Sequence, residues 1–431
     1  MKKALYIFLI LILATGSIGG CGTTGQSPES TARSAAATTA PLKIIEIRSV
    51  GMFGGTDPSA PYYQQLIKNF MAENPDIIVT DESATVDETW KAKVLTDFSS
   101  GNDPDVAFYF NGPDAKQLIE NKKVVSIEQI RKTYPEYAGN ISDAAMGYMK
   151  EFDGNHYAVP IRGYYEGLFC NRDLFEKYNL QLPTNWDNLI AAITTFKANG
   201  IIPFAASFSD MPHYWIEHLV LAQGGYEEHQ INPKDTYPES WAKALGYFKT
   251  LYDLGAFPVD VNATKNDIVT NMFYDKKAAM QIDGSWFIGG IKDPDTTIVI
   301  PFPATPDGKK DPSDIIGGFS SGFYISTKAW YDAEKQSAVV KFTEFMTSND
   351  AISAYCQVAG SAAADVPAST NHTEVMRSGV QMLSAAKNID SPIDNRATKE
   401  AWTYLVTMIG SIADGSATPE DVLTQFVKNN Q

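Results

Sequence analysis

The residues with chemistry to offer are rings and polar groups at the ends of chain segments. Trp286 follows Asp283-Gly284-Ser285, a turn of small residues just past the apolar run ending at Ile282. His213-Tyr214-Trp215 opens a helical stretch. Tyr109 and Asn111 stand at and beyond the end of the run Val106 to Phe110, Phe53 and Asp57 follow the first strand, and Glu82 follows the second. Arg162 lies in an extended strip, and Asp283 and Asp394 are candidate hydroxyl acceptors. Such residues make a binding surface: flat aromatic faces cover the apolar side of a ring-shaped solute, while carboxylates, amides and guanidiniums pair with its hydroxyls. Trp286 either projects into a cleft or packs in a core. Of Tyr214 and Trp215, one is expected at the solute and the other inside. Arg162 either pairs with Glu166 or faces the solute, and a facing arginine favours an acidic or heavily hydroxylated one.

Bond-making chemistry finds little support. There is no G-x-S-x-G, Cys170 has no placed histidine partner, and the five histidines show no H-E-x-x-H spacing. Asp57, Asp81 and Glu82 imitate a calcium site without an EF-hand-like loop. A glycosidase-like carboxylate pair can be picked by eye from 51 acidic residues, so its presence decides nothing. No catalytic residue, metal or cofactor is expected, and the chain reads as a non-enzyme.

The elements that must position these residues follow an α/β rhythm. Leu42 to Val50 reads as a strand, Tyr62 to Asn74 as an amphipathic helix, Ile77 to Thr80 as a strand, Asp87 to Ser99 as a helix and Pro104 to Phe110 as a strand. That alternation implies a mainly parallel sheet flanked by helices, with ligands beyond the carboxyl ends of its strands. Tyr157 to Phe175 is extended, carries glycines and sits far from either terminus, so it reads as the first crossing between two lobes. Gly317 to Ser326 reads as a second crossing and the polar stretch Val366 to Thr373 as a third.

At 431 residues, 44% hydrophobic, the chain is long enough for two cores. A net charge of −16 argues against nucleic acid and against peripheral binding to anionic lipid. Lys2-Lys3 and the apolar run Ala4 to Ala14 read as a signal peptide over 1–20. Ile18-Gly19-Gly20-Cys21 resembles the lipobox of bacterial lipoproteins, which implies lipid on Cys21 and a place at the extracytoplasmic face of the cell membrane. Residues 21–41, rich in Ser, Thr, Ala and Gly, read as a flexible tether. Cys170 and Cys356 are expected to be free thiols.

Five segments, in order, resemble family 1 extracellular solute-binding proteins of ABC importers. They are Phe70 to Val79; Gly101-Asn102-Asp103-Pro104-Asp105-Val106, like G-x-x-P-D-[VI]; Tyr157 to Phe175, with Cys170 where tyrosine is usual; Pro183-Thr184-Asn185-Trp186-Asp187; and Phe273 to Met280 with Gly284-Ser285-Trp286. The resemblance implies a two-lobed fold joined by three crossings, with one lobe over 42–162 and 319–372 and the other over 163–318 and 373–431. It implies a sugar or oligosaccharide as solute, with ring stacking at Trp286, at Tyr214 and at Trp402, the last placed by its distance from Ala413-Asp414-Gly415. It also implies delivery to a membrane permease by a monomeric receptor. A non-sugar solute on the same fold, including a cation held against aromatics, and a surface glycoside hydrolase are the alternatives.

Overall fold

The computed structural model describes residues 43–55, 57–357, 360–367 and 372–431. The signal peptide, Cys21 and the tether lie outside the described residues, as do 368–371 of the third expected crossing.

Ten strands are found among the described residues: β1 (Ile45–Val50), β2 (Ile77–Asp81), β3 (Val106–Phe110), β4 (Tyr164–Asn171), β5 (Ile202–Phe204), β6 (Ala278–Gly284), β7 (Thr297–Ile300), β8 (Ile315–Gly318), β9 (Ser321–Ile325) and β10 (Ile389–Asp390). They form two sheets. The first runs β2-β1-β3-β9, parallel except that β9 returns antiparallel on β3. The second runs β10-β8-β4-β6-β5 with β7 also on β4. There β5 pairs with β6, and β10 with β8, in parallel, while β4 is antiparallel to β6, β7 and β8.

Local chemistry explains the elements. The helix Ala60–Glu73 carries a proline in its first turn, where the missing N–H costs nothing, and buries Tyr63, Ile67 and Phe70 on one face. The helix Glu88–Ser99 is capped by Asp87, which accepts the Trp90 N–H at 2.6 Å. The strand of the first crossing runs through Asn171, whose side-chain amide donates to the Phe273 and Ala278 carbonyls at 3.1 and 2.9 Å. The following helix starts at once, at Arg172, without a side-chain cap from Asn171.

Each sheet has its own core. Ile47, Phe70, Phe108, Phe323 and Phe342 centre the apolar cluster around the first. Leu168, Phe196, Trp215, Phe248 and Leu405 centre that of the second. These are the two lobes. Between them the chain passes alongside itself: Val159 bridges Phe323, Tyr164 pairs with Gly318, Arg162 bridges Ala362, and the Gly163 N–H donates to the Ser361 carbonyl at 2.7 Å. A Cβ on Gly360 would fall 2.0 Å from the Gly163 carbonyl oxygen, so the passes lie too close for any other residue there. Cys170 and Cys356 are free thiols. No helix among the described residues is long and apolar enough to cross a membrane.

Candidate functional site

The antiparallel β4–β6 ladder sets Glu166 opposite Gly284. Side chains two apart share a face of a strand, so Tyr164 lies beside Glu166 on the side that Trp286 reaches just after β6. The Trp286 and Tyr164 rings are 5.6 Å apart and tilted by 41°. The helix His213–His229 brings up the third ring, Tyr214, 6.3 Å from Trp286 and tilted by 38°. Trp286 keeps 38% of its surface exposed, whereas Tyr214 keeps 7%. The indole lies back over Gly284, where a Cβ would come 2.2 Å from the ring. Trp286 is therefore not packed in a core, and Trp215 is the core ring of its pair, 2% exposed and edge-on to Phe204 and Phe257.

Carboxyls cluster behind these rings. Asp283 accepts the Gly284 N–H at 2.7 Å and the Gln281 amide at 3.0 Å, and burial pushes its carboxyl up to about 7. Burial, followed by the fields of Glu217, Asp394 and Asp283, drives Glu166 well above the usual carboxylate range. Its Oε2 is 3.6 Å from His218 Nε2 and has no hydrogen-bond partner. Burial also drops His218 to about 3, so the imidazole is neutral and supplies no counter-charge. Asp394, on the loop after β10, is half-buried and raised to about 7 by burial and then by Glu217.

That loop is fastened from behind. Both Glu217 oxygens accept the Ile393 N–H at 2.9 Å. His229 is fully buried and bridges Glu217 at 2.9 Å and Asp390 at 2.6 Å, while Arg396 reaches Asp390 at 3.2 Å. Burial opposes a charge on His229, but its hydrogen bonds to Asp390 and Glu217 outweigh it and hold the imidazole above its ordinary value. Both ring nitrogens then donate to carboxylates.

The first lobe presents a different face. Lys91 pairs with Asp114 at 2.9 Å and lies 4.4 Å over the Phe110 ring. Its field reaches His213 and Asp394, so this group faces the second-lobe wall. The Asn111 amide donates to the Tyr148 carbonyl at 2.8 Å, and the Tyr148 hydroxyl crosses to the Ile389 carbonyl at 3.3 Å.

Several candidates from the sequence are held elsewhere. Phe53 is 3% exposed and stacked on Tyr63 at 4.0 Å, and Tyr109 is wholly buried 5.5 Å from Trp90; both are core rings of the first lobe. Arg162 does not pair with Glu166. It takes Asp57 at 2.7 Å and Ser59 at 2.5 Å, because it turns toward the loop after β1 while Glu166 turns toward the helix carrying His218. Glu82 forms a forked pair with Arg48 at 2.8 and 2.9 Å, shared with Asp97. Trp402, in the helix Lys399–Asp414, is half-buried against the second-lobe core.

The sequence profile of bacterial extracellular solute-binding proteins matches residues 55–352. The chain belongs to that family. Its members are solute-binding receptors and not enzymes. Among curated relatives, this solute-binding protein is 26% identical over 266 residues to a binding protein of Brucella abortus, a match covering 58% of this chain and 62% of that one. It therefore spans less than two thirds of that relative's length. It is 26% identical over 312 residues to the multiple sugar-binding protein of Streptococcus mutans, covering 69% and 70% of the two chains. Among solved structures, a protein from work on xylan utilization by Caldanaerobius polysaccharolyticus superimposes with a TM-score of 0.75 at 21% identity, covering 90% of this chain and 100% of that one.

In this solute-binding protein, Tyr164, Glu166, His213, His218 and Glu217 join the wall although the sequence had not singled them out as ligand contacts. The signal was present. Glu166 is a charged residue inside an apolar strand, and Glu217 and His218 interrupt a helix that is otherwise buried along most of its length. The cavities of about 730 Å³ beside Lys243 and Tyr247, and of about 610 Å³ beside Gln381 and Met382, include none of these residues.

Proposed function

We propose that this chain is the lipid-anchored capture component of an ABC importer, taking a sugar or oligosaccharide between its lobes and passing it to the permease. The observation that carries this reading is the half-exposed Trp286 indole, walled by Tyr164 and Tyr214 and backed by carboxyls. Rings offer planar faces for the C–H side of a pyranose, and Asp283, Asp394 and the amide of Asn111 offer partners for its hydroxyls. The name of the Streptococcus mutans relative supports a sugar over other solutes. The expected lobe boundaries, 42–162 with 319–372 against 163–318 with 373–431, belong to this proposal, as do a monomeric receptor and lipid on Cys21.

Titration with mono-, di- and oligosaccharides while recording tryptophan fluorescence and thermal midpoint tests the reading. A saturable response to at least one carbohydrate, lost in Trp286→Ala, is the expected result. A response that persists in Trp286→Ala would move the site elsewhere. Metabolic labelling with a fatty acid, lost in Cys21→Ser, tests the anchor.

A further inference from the structure

The second-lobe wall holds more acid than a neutral solute needs. Glu217 is balanced by His229, and Asp390 by His229 and Arg396. Glu166, Asp283 and Asp394 have no Lys or Arg ion pair among the described residues. Glu166 is 4% exposed, lies on the Tyr164 and Trp286 side of its strand, and keeps one carboxyl oxygen without a partner. Burial alone keeps such a carboxyl protonated, and a cation brought in from outside would let it ionise. Lys91, across the wall, is already engaged with Asp114 and Phe110.

Two further observations define the missing counterpart. No three His, Cys, Asp or Glu side chains among the described residues converge as a metal ion requires, so these acids do not form a point-cation site. The rings beside them are tilted at 41° and 38°, forming walls around a volume rather than a flat platform. Angled aromatic faces with carboxylates behind them suit an organic ammonium, attracted by the rings and neutralised by the acids. We infer that the solute carries a basic amino group, contacted by Asp394 and the Trp286, Tyr164 and Tyr214 rings, with Glu166 supplying balancing charge from beneath them. This rests on the sugar reading and narrows it to amino sugars.

A pH signature follows. The titratable and charged groups facing this volume are Tyr164, Glu166, His213, Tyr214, Glu217, His218, Asp283 and Asp394, with Lys91 opposite. Bound ammonium favours ionised carboxyls, so protons leave to solvent on binding. Affinity for the amine therefore rises as pH rises through about 7, until the amine itself loses its proton.

Calorimetry on the full chain with gluco- and galacto-configured amino sugars and their neutral parents, as mono- and disaccharides, tests the inference, with choline as a sugar-free cation. The aminated member of a binding pair should be tighter by roughly tenfold or more, and Glu166→Gln or Asp394→Asn should each shrink that ratio severalfold. Thermal midpoints of the unliganded variants establish that they fold. Neutral parents binding as well as or better than their amines would overturn the inference and leave the sugar reading standing. Choline binding without any sugar would overturn the sugar reading and keep the cation site. Binding of neither would overturn both.

Discussion

The two lobes handle charge in opposite ways. On the first lobe, Arg48 is matched by Glu82 and Asp97, Arg162 by Asp57 and Ser59, and Lys91 by Asp114. On the second, Glu166, Asp283 and Asp394 crowd together and are pushed toward their neutral forms by burial. The comparison teaches that the first lobe neutralises its charges within itself, so that under the function proposed above discrimination between solutes falls to the second lobe.

The sharpest way to break that contrast is to disturb what holds the second wall. His229→Gln leaves Glu217 and Asp390 short of a buried cation and should cost about 3–5 kcal/mol in chemical denaturation. A loss under 1 kcal/mol would mean that the imidazole is not carrying the charge. Next, Trp286→Ala should remove about 2–4 kcal/mol of sugar binding in calorimetry. The unliganded midpoint should change little, because the indole is already half outside.

Acid–base behaviour gives a third, smaller effect. Asp283 is raised in the folded chain, so between its unfolded value near 4 and about 7 the native state holds more protons than the unfolded one. Stability of the unliganded protein should therefore fall as pH rises across that window, with Asp283→Asn flattening the slope. His229 acts in the same direction. Its raised value contributes stability present below its unfolded pKa and lost as pH climbs through the folded one. A slope between pH 4 and 7 that Asp283→Asn leaves unchanged would contradict the first, and a slope above pH 6.5 that His229→Gln leaves unchanged would contradict the second. Smallest of all, Glu82→Gln on the first lobe should cost under about 1 kcal/mol of stability and leave sugar affinity where it was. An affinity loss there comparable to that of Trp286→Ala would erase the distinction between the walls.

The sequence made the frame readable where local chemistry decides it. Ile77-Ile78-Val79-Thr80 could only be a strand, Asp87 announces a helix start, and Asp283-Gly284-Ser285-Trp286 shows a ring thrown out of a turn. Reading failed where long-range packing decides. Phe53 and Trp286 both follow strand ends, yet one is sealed between Tyr63 and Phe108 while the other is open. His229 and Asp390 are 161 residues apart, and no periodicity announces that they meet. Arg162 had a plausible partner four residues away, but it turns to the loop after β1, and its true partner lies 105 residues upstream.

Gly284 has a consequence beyond its own backbone. The tilt of the indole exists because a single methyl group is missing beneath it. Alanine there would lift the ring and resize the space it borders without altering any atom that meets the guest. Residue 284 is thus a tuning screw under the indole, and a relative with a side chain at that point would be expected to favour a guest of different thickness.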